Sequence, residues 1–237
     1  MDPRTVTTTL IIGNKNYSSW SLRPWILMRV LAIPFQEQLR PLEEGSCWDS
    51  YRRFSPNGRV PCLHDEETVV WDSLAIVEYL AERHAGVWPE DAAARAWARC
   101  AASEMHSGFG ELRGRCAMNC GLRVRLHEIG GALQADIARI DEIWSEGIGR
   151  FGGPYLAGAD FCAADAFFAP VVYRVQTYDL PLGETARAYA DLMLDHEVMR
   201  EWYRAALEEP WREKNHEAEA AAYGCILQDF RTGESGA

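Results

Sequence analysis

The chain has 237 residues, of which 48% are hydrophobic and 25% charged, so it contains enough apolar material for one large or two ordinary folded domains. Its net charge is -11 and no basic stripe is present for a phosphate backbone, which argues against nucleic-acid binding. No apolar run approaches the roughly 20 residues of a membrane span, and the N-terminus lacks the basic and apolar regions of a secretory signal. Seven scattered cysteines without a C-x-x-C pair are typical of free thiols in a reducing compartment, so we expect a cytoplasmic protein without a membrane partner.

The first third of the chain alternates between strand and helix signals. Residues 7–13 predict a strand, because β-branched threonines precede a Leu-Ile-Ile run. An acidic turn separates two later extended runs, as in a hairpin, and Asp72 with Ser73 then opens a helix with cap residues. The predicted elements are strand 7–13, helix 25–33, strand 37–42, strands 60–64 and 68–71, and helix 74–83. This βαβ–ββα order is the thioredoxin-like arrangement and predicts a first domain at residues 7–86.

Residues 14–25, between the first strand and the first helix, form a polar turn with three serine hydroxyls beside Tyr17. A helix that follows such a turn aims unpaired N–H groups and the positive end of its dipole at one point. A hydroxyl held there can donate a hydrogen bond to an anion such as a thiolate, and Ser18 is the first candidate for that donor. The alternative interpretation is helix capping, in which Ser21 is the N-cap and Pro24 occupies the first turn.

Strand signals end at residues 86–91, and the rest of the chain shows apolar side chains at helical spacing. One such stripe runs from 92 to 120. Further helical stretches, separated by breaks that contain Gly and Pro, lie near 133–150, 163–177, 184–194 and 196–208. We therefore predict an all-helical second domain at 91–222, followed by a flexible tail at 223–237.

Four short segments resemble, in this order, segments of one known family. Ser-Ser-Trp-Ser-Leu-Arg at 18–23 resembles the S-S-C-S-x-R segment of zeta-class glutathione transferases, and residues 54–61 resemble the N-P-x-x-x-V-P segment before a cis-proline. Residues 72–80 resemble the E/Q/D-S-x-A-I-x-x-Y-L helix, and residues 160–165 resemble the F-S-x-A-D element. The resemblance to the cytosolic glutathione S-transferases implies an α/β plus all-α fold. In this fold, a thioredoxin-like N-terminal domain is followed by an all-helical C-terminal domain.

The resemblance also implies that glutathione is a co-substrate, with Ser18 as donor to its thiolate and Tyr17 as the alternative donor. A free thiol has a pKa of about 8.5, which a helix N-terminus and an adjacent donor both lower. Asp72 can accept from the γ-glutamyl ammonium group and Ser73 can bind the carboxylate, although both residues can also act as caps alone. The implied glutathione-binding residues are Ser19, Arg59, Val60, Pro61, Asp72 and Ser73.

The resemblance implies a specific contact with glutathione for Val60 and for Arg59. A cis Val60–Pro61 bond leaves the preceding backbone exposed, so that Val60 can pair with the tripeptide as another strand does. Arg59 can reach the glycine carboxylate of glutathione. The alternative for Arg59 is a solvated surface arginine.

The acceptor substrate site is predicted on the first helix of the second domain. Met105, Phe109 and Arg113 recur at helical spacing and so share one helix face, with His106 beside them. Because this helix face carries both apolar and polar side chains, it can line a cleft that binds the acceptor substrate. The alternative is core packing together with a solvated arginine.

The chain departs from the family pattern at three positions. Trp20 replaces the small or cysteine residue of the zeta pattern, which excludes redox chemistry at this position. Cys162 stands where the helix cap is usually serine or threonine, and a thiol is a weak acceptor that Asp165 compensates only in part. The arginine that zeta isomerases use for a substrate carboxylate falls on Thr177, with Arg174 one turn away, which puts isomerase activity in doubt.

We therefore predict a glutathione S-transferase that activates the glutathione thiol for attack on a small, largely apolar electrophile. The alternatives are a zeta-like glutathione-dependent isomerase of the maleylacetoacetate type and a non-catalytic binding protein of this fold. No metal is expected, since the cysteines lack the short C-x-x-C knuckle of a zinc site. The resemblance further implies a symmetric homodimer in which the first domain of one subunit faces the second domain of the other.

Overall fold

The computed structural model describes residues 8–42 and 47–231, so the predicted strand residue 7 and the end of the predicted tail lie outside the described residues. The elements of the first part are β1 (Thr8–Ile12), α1 (Ser19–Val30), β2 (Gln36–Leu39), α2 (Trp48–Tyr51), β3 (Cys62–Asp65), β4 (Thr68–Trp71) and α3 (Ser73–Ala81). This order confirms the predicted βαβ–ββα arrangement, with the short helix α2 added in the connection before β3.

The four strands form one mixed sheet in the order β2-β1-β3-β4. β1 pairs in parallel with β2 and antiparallel with β3, and β3 pairs antiparallel with β4. The central strand β1 contributes Leu10 and Ile12 to the core, both fully buried. The carboxyl end of β1 and the N-terminus of α1 therefore meet at one edge of a well-packed sheet.

Helix α1 begins at Ser19, earlier than the predicted start at Trp25, with Ser18 at the N-cap and Pro24 inside the helix. The interpretation that Ser21 caps this helix is wrong. The reason is local: the backbone N–H groups of Tyr17 and Ser18 both bond to the carbonyl of Asn14, which closes a turn before the helix begins.

The second part of the chain is mostly helical. Its elements are α4 (Ala92–Ser107), α5 (Gly110–Arg115), β5 (Leu122–Leu126), α6 (Gly131–Phe151), α7 (Ala163–Tyr178), α8 (Glu184–Asp195), α9 (Glu197–Glu208), α10 (Lys214–Tyr223) and β6 (Gly224–Asp229). Among the residues described, no helix is both long enough and apolar enough to cross a bilayer. Helices α6 to α9 lie close to the predicted stretches.

Helix α7 is the central helix of the second part and packs against α1, α4 and α8. All of its residues except Gln176 are buried. At its start, the Asp165 carboxylate accepts hydrogen bonds from Leu156 N (3.0 Å), Cys162 N (2.9 Å) and the Tyr189 hydroxyl (3.0 Å). Asp165 thus anchors this helix end with three bonds, so the compensation for a cysteine cap is more complete than the sequence suggested.

The predicted stripe from 92 to 120 is not one helix. Gly108 is extended and Phe109 adopts the left-handed conformation, with φ 61°, so the chain turns between α4 and α5. Glycine has low helix propensity, and this break places Met105 and Arg113 on different helices. The prediction that Met105, Phe109 and Arg113 share one helix face is therefore wrong.

The second part also contains an antiparallel ribbon, so the prediction that it is all helical is wrong in this detail. β5 pairs with β6, which lies in the segment predicted to be a flexible tail. Leu122 and Val124 of β5 are buried, whereas Arg123 and Arg125 are not, which is the alternation of a half-buried strand. The backbone bonds of this ribbon order residues 224–229.

Candidate active site

The loop between β1 and α1 is held in place by the far end of the chain. The buried Glu209 carboxylate accepts hydrogen bonds from the backbone N–H groups of Lys15 (2.6 Å) and Asn16 (3.1 Å). The Trp202 indole N–H donates to the Lys15 carbonyl at 2.8 Å. The conformation of this loop therefore depends on contacts between the two parts of the chain.

The Ser18 side chain makes no capping bond, although Ser18 occupies the N-cap position of α1. Its hydroxyl donates to Ser21 Oγ at 2.7 Å, and Ser21 Oγ accepts from Gly13 N at 3.1 Å. Hydroxyl groups rotate, so the contact between the two serines can reverse when another acceptor reaches Ser18. Ser18 can then donate to an anion while it accepts from Ser21.

Tyr17 is engaged with the C-terminal part of the chain. Its hydroxyl donates to Glu217 Oε1 at 2.6 Å, and Arg231 contacts both Tyr17 and Glu217. Burial, followed by the hydrogen bond to Glu217, raises the pKa of Tyr17 well above its usual value. The hydroxyl of Tyr17, the alternative thiol donor, therefore points toward Glu217 of α10 and toward Arg231, which follows β6.

A cavity of about 530 Å³ opens at the N-terminus of α1. Its wall includes Tyr17, Ser18, Ser19, Trp20, Leu42, Tyr51, Gly58, Arg59, Val60, Arg113, Ala117, Met118, Arg174, His216 and Glu219. These side chains come from both parts of the chain, and His216 and Glu219 belong to α10. The predicted tail region, from 223, thus begins at the last residue of a helix that contributes to the wall of the site.

A smaller cavity of about 140 Å³ adjoins the first and shares Trp20, Arg59 and Val60 with it. Its wall is formed by Trp20, Asn57, Arg59, Val60, Pro61, Asp72 and Ser73. The Val60–Pro61 bond is cis, as the resemblance implied. The structure therefore brings together five of the six residues predicted to bind glutathione, and the sixth, Ser19, lines the larger cavity.

Asp72 is the N-cap of α3, and its carboxylate accepts from Leu74 N at 2.9 Å. Its backbone has φ 65°, a sparsely populated conformation for a residue with a side chain. The Asp72 side chain nevertheless keeps 46% of its surface exposed, whereas Ser73 is 1% exposed. Asp72 can therefore both cap the helix and accept from a ligand.

Arg23 contacts Trp20 and Ser73, two residues of this smaller cavity, and the sequence assigned it no role. It is fully buried, its guanidinium lies 4.1 Å from the Trp20 ring centroid, and its Nη1 is 3.4 Å from Ser73 Oγ. Its Nε and Nη2 atoms have no hydrogen-bond partner among the residues described. Burial lowers the pKa of Arg23 well below its usual value, and repulsion from Arg113 and Arg174 adds to this effect. The only sequence signal was its place at the end of the 18–23 segment.

The four predicted acceptor residues do not line one common cavity in the structure. Met105 is fully buried and Phe109 is 6% exposed, and both belong to the hydrophobic core. His106 lies near the smaller cavity, with Nε2 3.6 Å from Asp72 Oδ1 and Nδ1 3.5 Å from Arg23 Nη1. Of the four, Arg113 alone lines the larger cavity.

Thr177 and Arg174, the two positions near the expected zeta-class arginine, have different surroundings. Thr177 is buried and its hydroxyl donates to the Asn119 carbonyl at 2.8 Å, so its side chain is used in packing. Arg174, one turn earlier, lines the larger cavity. Among the residues described, no group of three or more His, Cys, Asp or Glu side chains is placed to hold a metal ion.

A thioredoxin-like sheet, a serine-rich helix N-terminus beside a cavity, and a helical second part together define the general architecture of a glutathione-transferase fold. Residues 17–83 match the family model described as the N-terminal domain of glutathione S-transferase. The chain is 24% identical to glutathione S-transferase GstB of Escherichia coli (strain K12), over 85% of this chain and 94% of that protein. Residues 17–83 of this chain therefore belong to the glutathione S-transferase N-terminal domain family.

Two further proteins are also similar to this chain. A probable maleylacetoacetate isomerase of Caenorhabditis elegans is 25% identical over 70% of this chain and 78% of that protein. A crystal structure of a glutathione transferase homolog from Burkholderia gl BGR1, with bound glutathione, has a TM-score of 0.62 and 22% identity. It covers 84% of this chain and 97% of the Burkholderia chain, and at that identity it supports the fold alone.

Proposed function

We propose that this chain is a glutathione transferase that binds glutathione across the two adjoining cavities and activates its thiol at Ser18. The observation that carries the proposal is the Ser18 hydroxyl, which lines the cavity at the N-terminus of α1 without capping the helix. The glutathione bound in the Burkholderia structure supports the choice of co-substrate, since the fold is shared.

The smaller cavity has the chemistry that the γ-glutamyl end of glutathione requires. Asp72 supplies an acceptor for its ammonium group, and Ser73 with the N–H groups at the start of α3 supplies donors for its carboxylate. Val60 lies between the two cavities, where its backbone can pair with the cysteinyl residue. The exposed Arg59 can reach the glycine carboxylate.

Thiol activation requires a modest amount of free energy. Lowering a thiol pKa from about 8.5 to below 7 requires roughly 2 kcal/mol of preferential stabilisation of the thiolate. A hydrogen bond to a charged group contributes about 1.5–3 kcal/mol, and the dipole of α1 adds to it. One bond from Ser18, supported by Ser21, is therefore sufficient, and the thiol proton leaves to solvent. The thiolate then forms the new C–S bond to the electrophilic carbon. In substitution a leaving group departs with the electrons of its bond, and in addition to a double bond the resulting carbanion takes a proton from solvent.

The glutathione-dependent isomerase remains the second candidate, because a thiolate that adds reversibly to a conjugated double bond can also isomerise it. The name of the Caenorhabditis elegans relative supports this alternative. The mass of the product distinguishes the two reactions, since conjugation retains the tripeptide and isomerisation releases it.

Retention on immobilised glutathione, followed by turnover of a generic aromatic halide electrophile, tests the proposal. We expect elution by free glutathione and conjugate formation that saturates with both substrates. Retention without turnover of any electrophile would support the non-catalytic alternative. Failure of both measurements would refute glutathione as the co-substrate.

We also propose that the chain forms a symmetric homodimer in the cytoplasm. The cysteines at 62, 100, 116, 120, 162 and 225 are free thiols, which is compatible with a reducing compartment. The charge is uneven, with nine basic and eleven acidic side chains in residues 1–86 and most of the negative charge in the remainder. A two-fold arrangement that pairs the first part of one subunit with the second part of the other keeps the two acidic halves apart.

A further inference from the structure

Among the described residues that line the larger cavity, His216 is the only histidine. It lies in the first turn of α10, and its side chain keeps 32% of its surface exposed. Its ring centroid lies 5.1 Å from that of Tyr17, the residue directly before Ser18. Imidazole is the side-chain group that most readily exchanges a proton near neutral pH. A group suited to proton transfer therefore lines the same cavity as the proposed thiolate site.

The buried carboxylate of Glu213 orients this imidazole. Glu213 Oε2 lies 2.6 Å from His216 Nδ1 and also accepts from the His216 backbone N–H at 2.8 Å, while Oε1 accepts from Asn215 Nδ2 at 3.0 Å. Burial raises the pKa of Glu213, but the hydrogen bonds from His216 outweigh it and hold that pKa below its usual value. Glu213 is therefore ionised at neutral pH and can only accept, so Nδ1 of His216 carries a hydrogen.

The second ring nitrogen of His216, Nε2, makes no hydrogen bond to any residue that the structure describes. The neighbouring Tyr17 hydroxyl does not occupy it, because that hydroxyl donates to Glu217 at 2.6 Å. With Nδ1 bonded to Glu213, Nε2 is the nitrogen left to exchange a proton with a ligand. A carboxylate that fixes the tautomer of an imidazole beside a reacting group is an arrangement suited to general acid–base catalysis.

We propose that His216, oriented by Glu213, carries the thiol proton of glutathione to acceptors that react by addition. This inference rests on the proposed function and replaces solvent as the proton source in that reaction. Nε2 takes the thiol proton as the thiolate forms, directly or through one water, and the imidazole becomes an imidazolium. When the thiolate adds to a conjugated enone, the displaced electron pair of the double bond places negative charge on the carbonyl oxygen. Nε2 returns the proton to this oxygen, and the enol then rearranges to the ketone in water.

Substitution and addition differ in what they require of His216. Substitution on an aromatic halide ends when the halide leaves with the electrons of its bond, so no proton has to be delivered to the product. Addition to an enone gives an enolate, which expels the thiolate again unless it is protonated. A proton donor at this position therefore accelerates addition selectively. It also favours conjugation over the reversible addition on which isomerisation depends.

The test compares a conjugated enone, benzylideneacetone, with an aromatic halide, chlorodinitrobenzene. In His216→Gln, kcat/KM should fall about 10- to 100-fold for the enone and less than about threefold for the halide, since water can replace part of the general acid catalysis at a half-exposed ring. Added imidazole should restore enone turnover in His216→Ala and leave halide turnover unchanged. Glu213→Gln should lower enone turnover less than His216→Gln does, because an amide oxygen still accepts from Nδ1.

A purely structural role for His216 predicts a different result. The backbone N–H of His216, not its ring, completes the Glu213 cap of α10, so His216→Gln should keep the helix start, which thermal unfolding checks. His84→Gln, at a half-buried histidine outside both cavities, is the matched control and should leave both reactions unchanged. If the His216 ring served packing alone, enone and halide turnover would fall together and imidazole would restore neither.

The outcomes separate this inference from the proposed function. A wild-type protein that conjugates neither acceptor overturns both. Halide turnover without enone turnover in the wild type, equal losses or no loss in His216→Gln, or a lack of rescue by imidazole overturns the role of His216 alone. A loss confined to the enone and rescued by imidazole supports that role, together with a solvent deuterium isotope effect on enone turnover that the halide does not show.

Discussion

Replacing Ser18 with alanine should raise the pKa of bound glutathione without unfolding the protein. Ser18 Oγ contacts Ser21 Oγ and makes no bond to a helix N–H group, so its removal leaves the start of α1 with its existing backbone bonds. The free energy of unfolding should therefore fall by only about 0.5–1.5 kcal/mol, the range of the one buried hydrogen bond that is lost. The main effect of Ser18→Ala should be that the thiolate of bound glutathione is less stabilised.

The magnitude follows from the hydrogen bond that is lost. A bond to a charged group contributes about 1.5–3 kcal/mol, and one pKa unit corresponds to about 1.4 kcal/mol. The pKa of the bound thiol should therefore rise by about 1–2 units, and turnover at neutral pH should fall about 10- to 100-fold as the thiolate fraction decreases. Glutathione affinity should change much less, because the proposed γ-glutamyl site at Asp72 and Ser73 is left intact.

The measurement is an ultraviolet titration of the bound thiolate, combined with the pH dependence of kcat/KM. Ser103→Ala, which replaces an exposed serine of α4, is the matched control and should behave as the wild type. Ser21→Ala should give a smaller pKa rise, since it removes the group that orients Ser18. An unchanged thiol pKa in Ser18→Ala would refute the assignment of Ser18 as thiolate donor. If the thiol pKa rises in Ser19→Ala instead, Ser19 is the donor.

Three further predictions concern affinity, acid stability and assembly. Ser73→Ala should weaken glutathione binding about tenfold with little change in kcat, because Ser73 is proposed to bind the γ-glutamyl carboxylate, which does not react. Calorimetry that shows intact affinity together with lost turnover would contradict this prediction. Burial raises the pKa of Glu217, but hydrogen bonds from Arg231 and Tyr17 outweigh it and hold the pKa below its usual value. The Glu217 carboxylate therefore stabilises the fold fully at pH values above the pKa of an unfolded glutamate. This stabilisation is lost as the pH falls through the lowered pKa of the folded state. In urea unfolding, Glu217→Gln should therefore reduce the decrease in the free energy of unfolding at acidic pH. Sedimentation at micromolar concentration should give about twice the chain mass of 26.7 kDa, and a single species at the chain mass would end the homodimer proposal.

The sequence predicts the first part of the fold well because its signals are local. The β-branched run before Ile12 and the Asp72-Ser73 cap each determine structure within a few residues, and helices α6 to α9 follow apolar spacing with clear breaks. The ribbon was missed for a different reason. The alternation at 122–126 is readable in hindsight, but β6 is largely exposed and pairs with a strand about 100 residues earlier, so no local pattern marks it.

The candidate site shows the same division between local and long-range information. The residues of the smaller cavity come from short segments whose motifs could be read from the sequence. The contacts of the loop at 14–18 come instead from Glu209, Trp202 and Glu217, which are distant in sequence and carry no motif. The choice between Ser18 and Tyr17 as thiol donor illustrates the consequence, because both residues lie at the right point of the chain. What favours Ser18 is that the Tyr17 hydroxyl is bonded to Glu217 and contacted by Arg231, so the C-terminal residues determine which neighbouring hydroxyl is left for the ligand.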